Sequence, residues 1–156
     1  MNIAFDLDDT LLPLAANFET EGIFISKFFY KLQLRNGAYN LFKKLREDGH
    51  RVWIYTRSHR SIVTIKTIFL INGLFLDGVV NSRIHHREIK KIDCFYEDCY
   101  KYPPMFGIDI LIDDGKFFFE DSQKYNFNMV LLEPTDKKWT ETVLQEINKA
   151  EQHSNG

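Results

Sequence analysis

The sequence predicts an α/β fold: a doubly wound, Rossmann-like parallel sheet of five strands with helices on both faces. Three observations carry this. Short apolar runs of strand length alternate with segments whose apolar residues recur at helical spacing. The runs are continuously apolar rather than alternating, as strands covered on both faces are. Three of them stop at Asp6, Thr56 and Asp113. In such a sheet these residues fall beyond the carboxyl ends of the strands, where ligand crevices form. Alternating strands and helices imply right-handed crossovers.

Ile3-Ala4-Phe5 makes the first strand, which halts at Asp6, Asp8, Asp9 and Thr10. An irregular stretch to about Asn36 follows, within which Ile23, Phe24, Phe28 and Leu32 fall on one helical face. The helix over Ala38–Asp48 is better marked. Ala38, Leu41, Phe42 and Leu45 form its stripe, and Gly49 suits the position past its C-terminus. RVWIYT is the second strand, ending at Thr56. Ser58 or Ser61 caps the next helix, with Ile62, Ile65 and Phe69 as its buried stripe and Gly73 as its stop. LDGVVN, residues 76–81, is the third strand. A charged helical segment over Arg87–Tyr100 must end at Pro103-Pro104, because proline cannot continue a helix. IDILID is the fourth strand, closing on Asp113-Asp114. Lys116–Tyr125 reads as helix, NMVLLE as the fifth strand, and Trp139–Ala150 as a last amphipathic helix before a polar tail at 151–156.

A chain of 156 residues suits one domain, here 1–150, with a small insertion at about 13–36. Its 44% hydrophobic and 27% charged residues are ordinary for a soluble globular protein. A formal charge of -2 argues against a dedicated nucleic-acid binder. Cys94 and Cys99 share one segment with neither a disulfide framework nor zinc spacing, which points to a reducing, cytoplasmic setting. No apolar run approaches the roughly 18 residues of a membrane span. Asp6, Asp8 and Asp9 interrupt the first apolar run, so a signal peptide is not expected there. Oligomeric state has no signature in the sequence.

Three carboxylates at the end of a buried strand repel one another and are costly to desolvate, and a divalent cation is the usual compensation. Asp6 and Asp8 would diverge in a regular strand, so a turn beginning at Asp6 is needed to aim both at one point. LIDD is a second buried strand ending in adjacent aspartates, which has few structural reasons to exist. Hard oxygen donors of this kind are what Mg²⁺ requires.

FDLDDT, WIYT and LIDD, in that order, resemble motifs I, II and IV of the haloacid dehalogenase superfamily, mostly Mg²⁺-dependent phosphohydrolases with an aspartate nucleophile. The resemblance covers Phe5 to about Pro134. It implies that Asp6 attacks phosphorus and forms an aspartyl-phosphate. Asp8 would protonate the leaving oxygen and then take a proton from the hydrolytic water. An acid at this second position favours hydrolases over members that retain the phosphoryl group or dehalogenate. Thr10 completes motif I and Thr56 would hydrogen-bond the phosphoryl group. Mg²⁺ would sit on the Asp6 carboxylate, the Asp8 backbone carbonyl and either Asp113 or Asp114. Asp9 stands where glycine is frequent, a change tolerated if it faces solvent.

Motif III calls for a cation to balance the charge gathered at the phosphoryl group. Lys101 is the first choice, since Pro103-Pro104 can open a one-turn helix that stops at Gly107. Lys90 and Lys91 are rivals, with Arg83 behind them. Arg57 is a candidate substrate contact, although Arg57, His59 and Arg60 also read as a solvated helix start. His85-His86 reads as an idle polar turn, since adjacent side chains diverge, and the Phe24–Tyr30 aromatics as packing. Cys94 and Cys99 lack a paired histidine with an orienting group, which argues against a thiol nucleophile.

A phosphorelay receiver has similar parts, but there the acidic pair is on the first strand and the phosphorylated aspartate on a later one; here the order is reversed. A phosphotransferase such as a mutase usually needs a cap to exclude water. A catalytically silent interaction module would not be expected to keep Asp6, Asp8, Thr56 and the 113–114 doublet. Only about Pro13–Asn36 is available for a flap, far short of a cap domain. An open site suits a phosphate protruding from a bulky substrate, such as a phosphoprotein. Aromatics between Phe18 and Tyr30 favour phosphotyrosine. The alternative within the same superfamily is a nucleotide or small-metabolite phosphatase.

Overall fold

The computed structural model describes residues 1–22, 32–92, 94–96 and 98–154. In chain order, β1 (Asn2–Phe5) is followed by two short strands, β2 (Thr20–Glu21) and β3 (Leu34–Arg35). Then come α1 (Ala38–Glu47), β4 (Arg51–Tyr55), α2 (Ile62–Ile71), β5 (Gly78–Val80) and α3 (Ser82–Ile89). A 3₁₀ turn at Pro103–Phe106 precedes β6 (Ile110–Asp113), α4 (Lys116–Tyr125), β7 (Met129–Leu131) and α5 (Trp139–Ser154). The five long-range strands form one parallel sheet in the order β5-β4-β1-β6-β7. β2 and β3 pair antiparallel in a separate two-stranded sheet, Thr20 opposite Arg35 and Glu21 opposite Leu34.

Period-two alternation decides which side chain faces which layer. Ile3, Phe5, Val52, Ile54, Ile110 and Ile112 point to one face. There they pack with the apolar stripes of α1, α2 and α5, including Phe42, Phe69 and Val143. Ala4, Tyr55, Val80 and Leu111 point to the other face, against Ile84 of α3 and Phe106 of the 3₁₀ turn. Both faces are therefore covered, which explains why the strand sequences are apolar throughout.

The chain leaves β1 for β4 on one side and leaves β6 for β7 on the other, so the winding reverses between β1 and β6. Such a reversal leaves a crevice beyond the carboxyl ends of those two strands. The Asp6 N–H donates to the Ile112 carbonyl at 2.8 Å, carrying the pairing one residue past β1. Asp6 is thereby fixed beside the end of β6.

Most predicted elements form, with differences that have physical causes. α3 begins at Ser82 and ends at Ile89, rather than running over 87–100, because Asn81 caps it by accepting the Ile84 N–H at 3.0 Å. Ser61, not Ser58, caps α2, taking the Thr64 N–H at 3.0 Å. Ile68 is buried on α2 where Ile62 was expected; Ile62, at the first turn, is exposed. Gly49 and Gly73 adopt positive φ of 84° and 73° just past α1 and α2, as the stops required. Gly107 ends the 3₁₀ turn in the same conformation. α5 continues to Ser154, past the expected end at Ala150. The helical face drawn through Ile23, Phe24 and Phe28, and the aromatics Phe24–Tyr30, lie outside the described residues. Among the described residues, the insertion contributes only β2, β3 and their flanks, and no helix is long and apolar enough to cross a membrane.

Candidate active site

The chain turns sharply after β1. Leu11 and Leu12 N–H groups both return to the Leu7 carbonyl, at 3.0 and 2.8 Å. Asp9 sits at the bend with φ of 64°, a left-handed conformation that aspartate tolerates better than most residues. Its carboxylate does not face solvent idly. One oxygen accepts the N–H groups of Leu14, Ala15 and Ala16 at 2.9, 2.7 and 2.7 Å, tying down the start of the insertion. Burial pulls the Asp9 carboxyl upward, but these three donors outweigh it and hold it below the ordinary carboxylate value.

This turn aims Asp6 at the end of β6. Lys101, fully buried, places Nζ 2.5 Å from Asp6 Oδ1 and 2.5 Å from Asp113 Oδ2. Asp113 Oδ1 accepts the Gly115 N–H at 2.9 Å, so both its oxygens are engaged. Asp114 Oδ1 accepts the Thr10 hydroxyl proton at 2.5 Å. Asp6, Asp113 and Asp114 each offer an oxygen within 4.8 Å of the others. An octahedral Mg²⁺ with oxygens at about 2.1 Å sets adjacent ligands about 3 Å and opposite ones about 4.2 Å apart, so these carboxylates could hold the ion once drawn in to that spacing. The hardness of the donors and the excess of carboxylate over the single buried ammonium point the same way.

Burial raises the Asp6 carboxyl, Lys101 pulls it back, and the charges of Asp113 and Asp114 push it up again, leaving it at about 7. Asp114 is likewise raised, by burial first, against the Thr10 hydroxyl that lowers it. For Lys101, burial opposes the charge but Asp6 and Asp113 outweigh it, so the ammonium is held above its ordinary value.

The segment carrying Lys101 is pinned by a pair that sequence pattern did not reveal. Tyr55 Oη, at the end of β4, lies 2.6 Å from His85 Nδ1 and accepts the Tyr102 N–H at 3.0 Å. The Cys99 thiol donates to the Lys101 carbonyl at 3.0 Å. His85 is thus a buried member of α3, not part of an idle turn, while His86 is exposed beside it. Burial, then the Arg57 and His86 charges, push the His85 imidazole down to about 4, so it is neutral. Burial pushes the Cys99 thiol up to about 12, in keeping with an unreactive sulfur.

Around the cluster, Thr56 is buried and its Oγ1 accepts the Ser58 N–H at 3.0 Å, leaving its own O–H to donate. Arg60 Nη1 lies 2.8 and 2.6 Å from the two oxygens of Asp8. Arg60, read from the sequence with Arg57 and His59 as a solvated helix start, is instead the cation that pairs with Asp8; its signal was its place shortly after Thr56. Arg57 turns elsewhere, donating to the Tyr100 carbonyl at 3.1 Å with its guanidinium 5.4 Å from the Tyr100 ring centroid. Lys90, Lys91 and Arg83 are exposed, and Lys91 pairs with Glu88 at 2.7 Å on the surface. The structure therefore brings together Asp6, Thr10, Lys101, Asp113 and Asp114, and joins Asp8 to Arg60. A scan against protein-family models finds no match to this chain, and comparison with curated proteins finds none either.

Proposed function

We propose that this protein is a Mg²⁺-dependent phosphomonoesterase of the haloacid dehalogenase type, acting through an aspartyl-phosphate on Asp6 in the cytoplasm. The observation that carries the proposal is the grouping of Asp6, Asp113 and Asp114 at the point where the sheet winding reverses, with buried Lys101 bridging Asp6 and Asp113.

The Asp6 carboxylate attacks phosphorus, and the bond to the leaving oxygen breaks as Asp8 gives that oxygen a proton. Water then attacks phosphorus and loses its proton to Asp8, releasing phosphate and restoring Asp6. Lys101 has three N–H donors and two are engaged, so one remains for a phosphoryl oxygen. The Thr56 hydroxyl is a further donor. Asp8 is held by Arg60 here, so its proton transfers require that pair to open, and an arriving phosphoryl group is the natural competitor for the guanidinium. The Asp6 carboxylate, the Asp8 backbone carbonyl and one of Asp113 or Asp114 would hold Mg²⁺, which would supply positive charge to offset that building on the phosphoryl oxygens.

An insertion of this small size would leave the site open to bulky leaving groups, and aromatics as frequent as those between Phe18 and Tyr30 in the sequence would favour phosphotyrosine if they flank it, since ring pairs add about 0.5–1.5 kcal/mol beyond area burial. Hydrolysis of an aryl phosphate should require Mg²⁺ and cease with chelator. Comparison of kcat/KM should rank phosphotyrosine peptides above phosphoserine peptides, nucleotides and sugar phosphates. Preference for nucleotides or sugar phosphates would refute the protein-substrate reading alone. Absence of hydrolysis across the panel would refute the phosphatase itself.

Metal binding should carry a pH signature. The Asp6 pKa of about 7 lies above its ordinary 3.8, so Asp6 favours the folded state at low pH and this contribution fades as pH rises through 7. His85 has the opposite sign: its pKa of about 4 lies below 6.5, so its contribution is lost as pH falls below 6.5. The two offset each other between about pH 4 and 6.5; above that His85 no longer contributes and Asp6 dominates, with the raised Asp114 of the same sign. The Tm of metal-free protein is therefore expected to fall from pH 6.5 to 8. Mg²⁺ should restore it at pH 8 and have little effect at pH 5, where it must displace a proton. An equal Mg²⁺ shift at both pH values would exclude Asp6 as a ligand.

A further inference from the structure

Arg35 lines a cavity of about 540 Å³ together with Phe18, Asn36, Thr135, Lys137 and Trp139. Its side chain is 2% exposed, and the rings of Phe18 and Trp139 lie 4.9 and 5.0 Å from the guanidinium carbon. Nη2 donates to the carbonyls of Glu133, Pro134 and Asp136 at 3.2, 2.9 and 2.8 Å. Nη1 is buried and has no hydrogen-bond partner. Burial lowers the Arg35 pKa against the charges of Asp136 and Asp114, yet neither carboxylate bonds to it. Asp136 instead accepts from the Lys138 N–H and the Thr142 hydroxyl, and Asp114 from Thr10.

A buried cation whose hydrogen bonds go only to carbonyls, with one amino group unpaired, is a costly arrangement that a native fold rarely keeps without a use. The acceptor that fits is anionic, because charge-assisted bonds to guanidinium are the strong ones. Lys137 on the same lining adds a second cation; of the two lining carboxylates, Asp136 is taken up by Lys138 and Thr142, and Glu19 is exposed. We infer that this cavity binds an anionic oxygen group, a phosphate or a carboxylate, received by Nη1 of Arg35. Because Nη1 is closed to solvent, binding requires a neighbouring lining side chain to give way, and Phe18, partly exposed and 4.9 Å from the guanidinium carbon, is the nearest ring. The lining does not include Asp6, Asp113 or Asp114, and the inference stands whether or not the protein is a phosphatase.

Fluorescence tests it directly. Trp53→Phe leaves Trp139 as the sole tryptophan, and removes an indole N–H that is itself buried without a partner. In chelator, inorganic phosphate, acetate and phenyl phosphate are titrated against sodium chloride at matched ionic strength. A saturable change in Trp139 emission is expected with phosphate or acetate. Tighter binding of phenyl phosphate than of phosphate identifies an anionic group carried on an organic ligand; the reverse identifies a free oxyanion. Arg35→Met should abolish the response. Since Arg35 also ties down residues 133–136, Lys137→Glu is the second variant and should weaken binding about tenfold without touching that tie. Responses indistinguishable from chloride, or unchanged affinity in Lys137→Glu, would overturn the site.

Discussion

Asp6→Asn is expected to lower turnover of an aryl phosphate on the order of 10⁴-fold or more, as loss of a covalent nucleophile does. The fold should survive. Asparagine keeps an oxygen to accept from Lys101, and Asp113 retains the ion pair at 2.5 Å. Because burial holds the Asp6 carboxyl up at about 7, a neutral amide removes a charge that the site accommodates poorly at pH 8. Tm at pH 8 should therefore match or exceed that of the parent protein. Activity lost without loss of Tm separates a nucleophile from a structural aspartate, and undiminished turnover would sink the assignment.

Lys101→Met is expected to damage both stability and chemistry. It leaves Asp6 and Asp113 facing each other with no buried cation, and breaking such a pair costs on the order of 3–5 kcal/mol of stability. Below the lowered Tm, the barrier should rise by about 2.7–4 kcal/mol, as for other preorganised contacts to a developing charge. Mg²⁺ should return part of the lost stability by supplying charge to the same carboxylates. Lys91→Ala, by contrast, removes a surface pair with Glu88 and should change neither quantity by more than about 0.5 kcal/mol. Denaturant unfolding and aryl-phosphate kinetics on the two variants give the ranking; its reverse would move the cation role to the α3 end.

The strand ends were legible because few structures other than a ligand crevice place Asp6 and the Asp113-Asp114 pair after fully apolar strands. Lys101 was legible from its place before Pro103-Pro104, which sets a 3₁₀ turn ending at Gly107. The Tyr55–His85 and Arg60–Asp8 contacts were not, because each joins side chains whose proximity is set by sheet packing rather than by spacing along the chain. The start of α3 was missed for a local reason. Asn81 was taken as the end of a strand, whereas its side chain is the cap that starts the helix. Asp9 shows a further limit. Its role rests on a positive φ that brings three N–H groups onto one oxygen, and residue identity alone does not announce that.

The strand order has a consequence for the route by which the chain becomes competent. β6 pairs with β1, Ile3 against Ile110, although β4 and β5, which lie on the other side of β1, come between them in the chain. Closing so long a loop is entropically costly and slow compared with forming the local helices. Lys101 and Asp113 arrive with that last central strand, so the charge of Asp6 stays unanswered until it docks. The acidic turn is thus neutralised from both halves of the sheet, Asp8 by Arg60 from the β4 side and Asp6 by Lys101 from the β6 side, so its charge balance depends on β1 holding both neighbours.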